Sequence, residues 1–385
     1  MKYEQRGVSA GKQDVHEAIK NLDKGLYPNA FCKVLPDLAA GNEDYANILH
    51  ADTAGTKAAL AYLYWKETGD LTVWEGIVQD AVVMNLDDIA CTGLPDSVIF
   101  SNTINRNKSL IPGEVIKTLI EGSEKLMEKL RKEGVNVTLA GGETADVGDL
   151  VRSVDVGFTA FARMHRNNVL ENNIQPGNIV IGLSSAGQAS YEDQPNSGIG
   201  SNGLTFARHE LLNHEYEEKY PETFDPALDP SVVYTGSYDV TDKSEGSIQN
   251  VGKMLLSPTR TYAPFLKKLF EANIPLNGII HCTGGGLTKV LHFIDNCHII
   301  KDNPLPVPDV FKLIQKENNT PWKEMYQVFN MGQRLEIYLP PEYEEHIIKL
   351  AGEFNIEAQK TGYCIASENP QVTVTTPDGE AIYQK

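Results

Sequence analysis

The chain has 385 residues, 41% of them hydrophobic, and a formal net charge of −18, which suits a folded protein of about two to three domains. The charge argues against a nucleic-acid-binding protein, because phosphate backbones are held by clustered Lys and Arg, and no apolar run approaches the ~18 residues of a membrane span. The N-terminus lacks an apolar signal region and the five cysteines form no C-x-x-C pair, so we expect an unexported protein with reduced thiols in the cytoplasm.

The first motif in chain order is A-D-T-A-G-T-K, from Ala51 to Lys57, which follows a short apolar run and opens a predicted helix. Gly55 permits a sharp turn, Thr56 offers a hydroxyl, Lys57 offers a charge for phosphate, and Asp52 can hold a metal ion. The Walker spacing G-x-x-x-x-G-K-S/T is absent from the sequence, so a phosphate site here requires a different geometry.

Two helices are predicted next. Gln79 to Leu86 is mostly apolar and would bury one face, with the acidic pair Asp87-Asp88 near its end. Ile111 to Lys132 has helical apolar spacing, with Pro112 at its start and a glycine beyond its end.

A second glycine motif, L-A-G-G-E-T-A-D, spans Leu139 to Asp146 and follows a predicted strand from Val135 to Ala140. Gly141 and Gly142 lack a Cβ, so a bulky anion can approach the main chain, and Glu143 adds an oxygen ligand for a hard cation. The same octapeptide also describes an ordinary turn after a strand.

Magnesium nucleotides are held by one or two carboxylates together with phosphate oxygens and water. Asp52, Asp88 and Glu143 are the right inventory for one or two ions, although each acid taken alone is more simply a solvated loop residue. Together with the two glycine segments, the three acids favour a nucleotide site.

The second half of the chain repeats the alternation of strand and helix. A strand from Asp155 to Met164 leads into the polar stretch Asn167 to Gly177, which we interpret as the domain junction. Further elements are predicted at Asn178 to Leu183 (strand), Leu204 to Leu212 (helix), Thr259 to Ala272 (helix) and Ile279 to Cys282 (strand), followed by a glycine run and another helix. This alternation predicts an α/β protein.

The glycine run Thr283-Gly284-Gly285-Gly286 has two readings of equal weight: it allows close helix packing, or its backbone N–H groups bind an anion at a helix start. His281 and His298 are interpreted as structural, because no second His or Cys stands at metal-ligand spacing. Cys32 is interpreted as a buried thiol.

Seven segments, in this order, resemble those of phosphoribosylformylglycinamidine cyclo-ligases, also called aminoimidazole ribonucleotide synthetases. They are D-T-A-G-T-K (Asp52 to Lys57), M-N-L-D-D-I-A-C-T-G (Met84 to Gly93), G-G-E-T-A-D (Gly141 to Asp146), S-N-G (Ser201 to Gly203), S-P-T-R-T-Y (Ser257 to Tyr262), H-C-T-G-G-G (His281 to Gly286) and M-Y-Q-V-F-N-M-G (Met325 to Gly332).

The resemblance implies an enzyme of purine biosynthesis that uses ATP and Mg²⁺ to close a ring. ATP phosphorylates the formamide oxygen of formylglycinamidine ribonucleotide, the amidine nitrogen attacks the activated carbon, and phosphate leaves to give aminoimidazole ribonucleotide. It also implies a mixed α/β fold of two domains, a nucleotide-binding and dimerisation domain at residues 1–174 and an α/β domain at residues 175–385 that completes the substrate site, with the N-terminal sheet forming a homodimer interface.

The same resemblance assigns the site residues. The catalytic residues are Lys57, Asp88 and Glu143. The cofactor-binding residues are Asp52, Gly55, Thr56, Lys57, Asp87, Gly141 and Gly142. The metal ligands are Asp52, Asp88 and Glu143. The substrate-binding residues are Ser201, Asn202, Gly203, Arg260, Thr283, Gly284 and Gly285.

The chain departs from the family pattern at several places. It has Asp87-Asp88 where the family commonly has Asn-Asp, an inserted segment at Gln188 to Ile199, and Met331 to Arg334 where the family continues Cys-Gly-Val-Gly. Two alternatives are therefore a non-catalytic nucleotide-binding paralogue and another ATP user of the superfamily, such as selenophosphate synthetase or thiamine-monophosphate kinase.

Overall fold

The computed structural model describes residues 1–9, 13–244 and 249–385, which form two main β-sheets covered by helices. The strands are β1 (Leu35–Pro36), β2 (Tyr45–Thr53), β3 (Ser97–Arg106), β4 (Val137–Asp146), β5 (Val154–His165), β6 (Ile179–Ser184), β7 (Ala186–Gly187), β8 (Asn196–Ser197), β9 (Gly278–His281), β10 (Cys297–Lys301), β11 (Gln333–Leu339), β12 (Ala358–Ala366), β13 (Gln371–Thr376) and β14 (Gly379–Gln384). The α-helices are α1 (Gln13–Ile19), α2 (Lys57–Thr68), α3 (Val73–Ala90), α4 (Gly113–Lys132), α5 (Leu204–Leu211), α6 (Glu215–Lys219), α7 (Val251–Leu255), α8 (Ala263–Glu271), α9 (Asp309–Asn318), α10 (Trp322–Val328) and α11 (Glu344–Glu353).

The N-terminal sheet has the strand order β1-β2-β5-β3-β4, in which only β3 and β4 run parallel. Helix α4 makes the crossover between these two strands, as a parallel pair requires. Side chains alternate across the sheet: Val98 and Phe100 of β3 are buried beneath the helices, whereas Ile99 between them is 42% exposed. The described residues therefore leave one face of this sheet uncovered.

Helix α3 is the central helix of the molecule and carries three acids of the candidate site. Nearly all its residues are buried, because it packs against β2 and β5 on one side and against α4 and α8 on others. The helix is therefore covered on several sides, and its polar residues are buried together with its apolar ones. Asp80, Asp87 and Asp88 are thereby placed inside the protein.

The C-terminal sheet has seven strands in the order β14-β13-β10-β12-β6-β11-β9, with β10 and β13 parallel and the other pairs antiparallel. Strands β6 and β11 are interior strands of this sheet, and every residue of both is buried. Helix α11 packs on this sheet, and α8 packs on α11. The predicted mixed α/β architecture is confirmed.

Most predicted elements are present, with three corrections. The strand expected to stop at Ala140 continues to Asp146 as β4, so the Gly141-Gly142 motif lies inside a strand. The helix expected from Thr259 begins only at Ala263, and the glycine run opens a 3-10 helix, Gly286–Phe293. Within the described ranges, none of the helices combines the length and apolar character that a membrane crossing requires.

Candidate active site

The start of α2 meets the start of α5, which brings two of the predicted motifs together. Thr56 Oγ1 and Thr205 Oγ1 are 2.7 Å apart, and Ser201 Oγ donates to the carbonyl of Ala54 at 3.0 Å. Two helix N-termini, each with unsatisfied N–H groups, thus lie side by side. The arrangement suits an anion with several oxygens.

Gly55 and Thr56 also line an open cavity of about 430 Å³. Arg152 and Arg208 lie on its wall and add positive charge. Arg208 is buried, its Nη1 donates to Tyr234 Oη at 2.7 Å, and its Nε has no hydrogen-bond partner among the described residues. We did not single out Arg208 from the sequence; its position one turn into a helix that follows S-N-G is the signal that could have found it.

Lys57 does not face this cavity. Its side chain is 0% exposed, and its ammonium donates to Asp80 Oδ1 at 2.9 Å, to the carbonyl of Gly200 at 2.9 Å and to the carbonyl of Ser257 at 2.6 Å. An ammonium has three donors, so none is left for a phosphate in this conformation. Burial lowers the pKa of Lys57 and raises that of Asp80, while the two groups stabilise each other's charge. The expected phosphate contact is corrected to a structural ion pair.

The three predicted metal ligands do not gather in one place. The register aligns Asp52 of β2 with Phe158, Asn102 and Gly142 on the neighbouring strands, and this row faces the helices. Glu143 belongs to the next row, which faces the open side of the sheet. Three strand spacings, or about 14 Å, separate the ends of such a row. The described part of the chain contains no group of three His, Cys, Asp or Glu residues that could hold a metal ion. The prediction that Asp52, Asp88 and Glu143 converge as ligands of one metal site is corrected for the described residues.

The two glycines of β4 have a local role. Gly141 has φ +99° at an irregularity in the pairing of β3 and β4, a conformation that favours glycine. A Cβ on Gly142 would lie 1.6 Å from Asn102 Oδ1, so the absence of a side chain makes room for that amide. Both glycines are exposed at the sheet edge.

Asp88 is held between two histidines. His281 Nδ1 lies 2.7 Å from Asp88 Oδ1, and His50 Nε2 lies 3.5 Å from Asp88 Oδ2. The Asp88 side chain is 13% exposed, whereas His281 is buried and its Nε2 finds no hydrogen-bond partner within the residues described. His281 was interpreted as structural and His50 was not singled out, because their partner lies far away in sequence. The carboxylate is oriented from both sides.

Asp87 is fully buried and cannot contact a nucleotide here. It accepts hydrogen bonds from Thr261 Oγ1 at 2.6 Å and from the backbone N–H of Tyr262 at 3.0 Å, and Arg334 Nη2 lies 3.5 Å away. Burial raises the pKa of Asp87, and His281 and Arg334 oppose that shift. The predicted cofactor contact of Asp87 is corrected to an anchor for the segment before α8.

Arg260 is also turned inward. Its Nε and Nη2 donate to the two carboxylate oxygens of Glu192 at 3.1 and 2.5 Å, and its Nη1 donates to the carbonyls of Ser184 and Ala186. The guanidinium is therefore occupied by a carboxylate of the same chain.

The S-N-G segment and the glycine run are neighbours, as a common substrate site requires. A Cβ on Gly284 would lie 3.9 Å from Asn202 Nδ2, and Gly284 is exposed. Gly203 has φ +79° and lies against the ring of Phe329, and Gly285 has φ +96°. Ser201, Asn202 and Thr283 belong to the same two segments, so the structure brings together all predicted substrate residues except Arg260.

Comparison with known proteins gives a consistent result along the chain. A family model described as AIR synthase related protein, N-terminal domain, matches residues 32–164, and the corresponding C-terminal domain model matches residues 175–375. A protein of Methanocaldococcus jannaschii named phosphoribosylformylglycinamidine cyclo-ligase is 28% identical over 328 residues, covering 84% of this chain and 79% of the relative. A Thermococcus gammatolerans protein of the same name is 30% identical over 316 residues, covering 81% and 78%.

Solved structures share the fold at lower identity. The HypE-HypF complex provides a chain with a TM-score of 0.57 at 15% identity, covering 96% of this chain and 99% of that one. AaThiL complexed with AMPPCP and TMP has a TM-score of 0.54 at 13% identity, covering 97% and 94%. T. maritima PurL complexed with FGAR has a TM-score of 0.54 at 14% identity, covering 97% of this chain and 49% of that one.

Proposed function

The chain belongs to the family of AIR synthase related proteins, and from this premise we propose that it is a phosphoribosylformylglycinamidine cyclo-ligase. It converts formylglycinamidine ribonucleotide to aminoimidazole ribonucleotide in de novo purine biosynthesis, with hydrolysis of ATP to ADP and phosphate. The observation that carries the proposal is the similarity to proteins of that name over four-fifths of the chain. These relatives do not favour a non-catalytic paralogue, a selenophosphate synthetase or a thiamine-monophosphate kinase.

The reaction explains why the site needs an anion receptor and a fixed carboxylate. The formamide oxygen attacks the γ-phosphorus of ATP, and the amidine nitrogen then attacks the activated carbon while phosphate leaves. An amide oxygen is otherwise a poor leaving group, so the protein must align it with the γ-phosphoryl and keep water away.

The nucleotide is proposed to bind at the start of α2. Gly55 and Thr56 are exposed beside a cavity with Arg152 and Arg208, and the relative AaThiL has been solved with AMPPCP, an ATP analogue. Asp52, which lies at the end of β2 just before this helix start, is proposed to lie near the phosphates. Mg²⁺ is proposed to arrive with ATP as part of the substrate, because among the described residues no group of three His, Cys, Asp or Glu could hold it.

The ribonucleotide is proposed to bind at Ser201 to Gly203 and Thr283 to Gly285, whose backbone N–H groups can donate to its oxygen atoms. We propose Asp88 as the catalytic carboxylate that accepts the proton lost by the amidine nitrogen, with His281 as a positioning residue, because the 2.7 Å contact between them fixes the carboxylate. Lys57 is proposed as a positioning residue for the α2 start.

A homodimer is proposed through the open face of the N-terminal sheet. Leu49, Phe161 and Ile99 lie opposite one another on three adjacent strands, and Leu49 is 63% exposed. A continuous apolar row on an uncovered sheet suits a second copy of the chain. Glu143 lies on the same face and would be covered by that copy.

We propose residues 1–174 as the nucleotide-binding and dimerisation domain, residues 175–385 as the domain that completes the substrate site, and the cytoplasm as the location. The five cysteines, all within the described residues, are free and buried, which agrees with a reducing compartment.

The test is a turnover assay with purified protein, formylglycinamidine ribonucleotide, Mg²⁺ and ATP. We expect a diazotisable amine and one ADP per product; a folded sample that forms neither would contradict the proposal.

Asp88→Asn should lower kcat about 10²-fold or more if the carboxylate acts in proton transfer. Glu128→Gln is the control, because Glu128 forms an exposed ion pair with Lys132, and it should retain normal turnover.

A further inference from the structure

A short hairpin, residues 186–197, places the carboxylate that occupies Arg260. Strands β7 and β8 pair antiparallel and form its stem. Its loop rests on the C-terminal domain through Ser190, whose N–H donates to the carbonyl of Phe354 at 2.8 Å, and through Asn355, whose side chain donates to the carbonyl of Gln188 at 2.6 Å. We call this unit the 186–197 hairpin.

The Glu192 carboxylate accepts four hydrogen bonds. Two come from Arg260, one comes from the backbone N–H of Ala189 at 2.7 Å, and one comes from Asn196 Nδ2 at 3.1 Å. The guanidinium fork binds carboxylate and phosphate oxygens with the same two-pronged geometry. Glu192 thus occupies a site on Arg260 that also fits a phosphate group.

The hairpin also separates two cavities. One, of about 280 Å³, lies toward α3, and the other, of about 890 Å³, lies toward α9 and α11. Gln194, Pro195 and Asn196 line both. Lifting the hairpin would therefore join the two cavities into one cleft beside Glu192, which lines the smaller cavity.

The stem has glycines with left-handed backbone at its base: Gly187 is open, whereas Gly198 is packed against Ser185 and can change only its backbone angles. Gly187 has φ +80° and Gly198 has φ +87°, values that glycine adopts at little cost. Around Gly187, no described atom would lie within 4 Å of an added Cβ. Loop or element-terminal residues of this kind are typical of hinges.

We propose that Glu192 is an internal competitor for the substrate phosphate: a phosphate monoester replaces its carboxylate on Arg260, and the 186–197 hairpin opens. The inference rests on the proposed function for its ligand, a ribonucleotide, and it adds Arg260 to the residues that bind this ligand. The exchange is reversible and moves Glu192 from a nearly buried niche to solvent. The buried guanidinium keeps an anionic partner in both states, so it is never left uncompensated.

The test compares binding of ribose 5-phosphate to the full chain, by calorimetry without ATP, in wild type, Glu192→Gln and Asp193→Asn. Removing the competing charge should tighten binding about tenfold if the closed hairpin is favoured about tenfold over the open one. Asp193 pairs with Lys129 at the exposed hairpin tip, so Asp193→Asn, the matched control, should change binding less than twofold by the same reasoning. Unchanged or weaker binding by folded Glu192→Gln would overturn the proposal.

A second measurement uses the wild-type chain alone, since Glu192→Gln could fail to fold with Arg260 uncompensated. Saturating ribose 5-phosphate should speed amide hydrogen exchange in residues 188–196. Unchanged or slower exchange there would also overturn the proposal. Neither measurement involves turnover, so both results can be interpreted even if the cyclo-ligase assay fails. If the enzyme turns over but shows neither the tighter binding nor the faster exchange, only the hairpin proposal is rejected.

Discussion

Lys57 is the residue on which four chain segments converge. Its ammonium joins the start of α2 to Asp80 of α3 and to the carbonyls of Gly200 and Ser257. These segments carry the proposed nucleotide and substrate contacts. A buried ion pair fixes their relative position even where its net contribution to stability is small.

Lys57→Met should destabilise the fold by about 3–5 kcal/mol, because it leaves the Asp80 carboxylate buried without its counter-ion. The double variant Lys57→Met/Asp80→Asn should recover a large part of that loss, which chemical denaturation of both variants would measure. Lys125→Met is the control, since Lys125 is 65% exposed in its pair with Glu75, and it should cost less than about 1 kcal/mol. If Lys57→Met were as stable as wild type but inactive, Lys57 would bind phosphate, as the sequence motif first indicated.

The residue types of the site could be predicted from the sequence, but their partners could not. Asp52, Gly55 and Thr56 were correctly predicted to stand at a strand end and a helix start. The pairing of Lys57 with Asp80 depends on tertiary packing, and local spacing does not encode which oxygen satisfies a buried ammonium. The pairing of Arg260, which the resemblance assigned to the substrate, with Glu192 could not be predicted either, because Glu192 lies 68 positions away.

Helix α5 is the element whose placement decides whether the S-N-G segment meets the glycine run. It begins after Gly203, where φ is +79° and an added Cβ would lie 2.4 Å from the ring of Phe329. The helix start and the substrate segment are thus fixed by one close contact.

Gly203→Ala should destabilise the protein by about 2–5 kcal/mol, the sum of a left-handed backbone penalty and overpacking. Gly177→Ala is the matched control: Gly177 has φ +93°, and among the described atoms none would lie within 4 Å of its Cβ. It should therefore cost only about 1–2 kcal/mol. Thermal or urea unfolding measures both, and equal losses would show that contact with Phe329 is unimportant.

Elements with a clear apolar period, such as α4 and β5, were predicted from the sequence nearly to their ends. The prediction of strand ends failed where backbone pairing overrides local signals. Gly141-Gly142 indicate a turn, yet β4 continues through them because β3 supplies hydrogen-bond partners across a bulge. Likewise, Glu143 was predicted to bind a metal ion together with Asp52. Glu143 lies one residue beyond Gly142, however, and therefore points to the opposite face of the sheet from Asp52.

For the molecule as a whole, the proposed dimer must overcome like charge, since each chain carries −18. Burying the apolar row of Leu49, Phe161 and Ile99 would provide the attraction in that dimer. Added salt screens the repulsion, so we expect the dimer to be tighter at 0.5 M than at 0.01 M salt.

Leu49→Lys/Ile99→Lys should convert the dimer to a monomer of the 42.5 kDa chain mass, raising the dissociation constant about 100-fold or more. Light scattering coupled to size exclusion measures the mass. Ile382→Lys is the control: Ile382 is 45% exposed on β14 of the other sheet, and the variant should stay dimeric. A wild-type chain that is monomeric at high concentration would contradict the proposed interface.

The burial of all five cysteines, each free in the described structure, gives the protein an intrinsic reporter. A maleimide or iodoacetamide can modify a thiol only when it is exposed as thiolate, so alkylation of the native chain counts opening events. Cys32 and Cys91 lie beside Asp88 in the N-terminal domain, and Cys297 and Cys364 lie in the C-terminal sheet. Mass spectrometry of the labelled positions therefore tells which half of the molecule opens first, without any engineered probe.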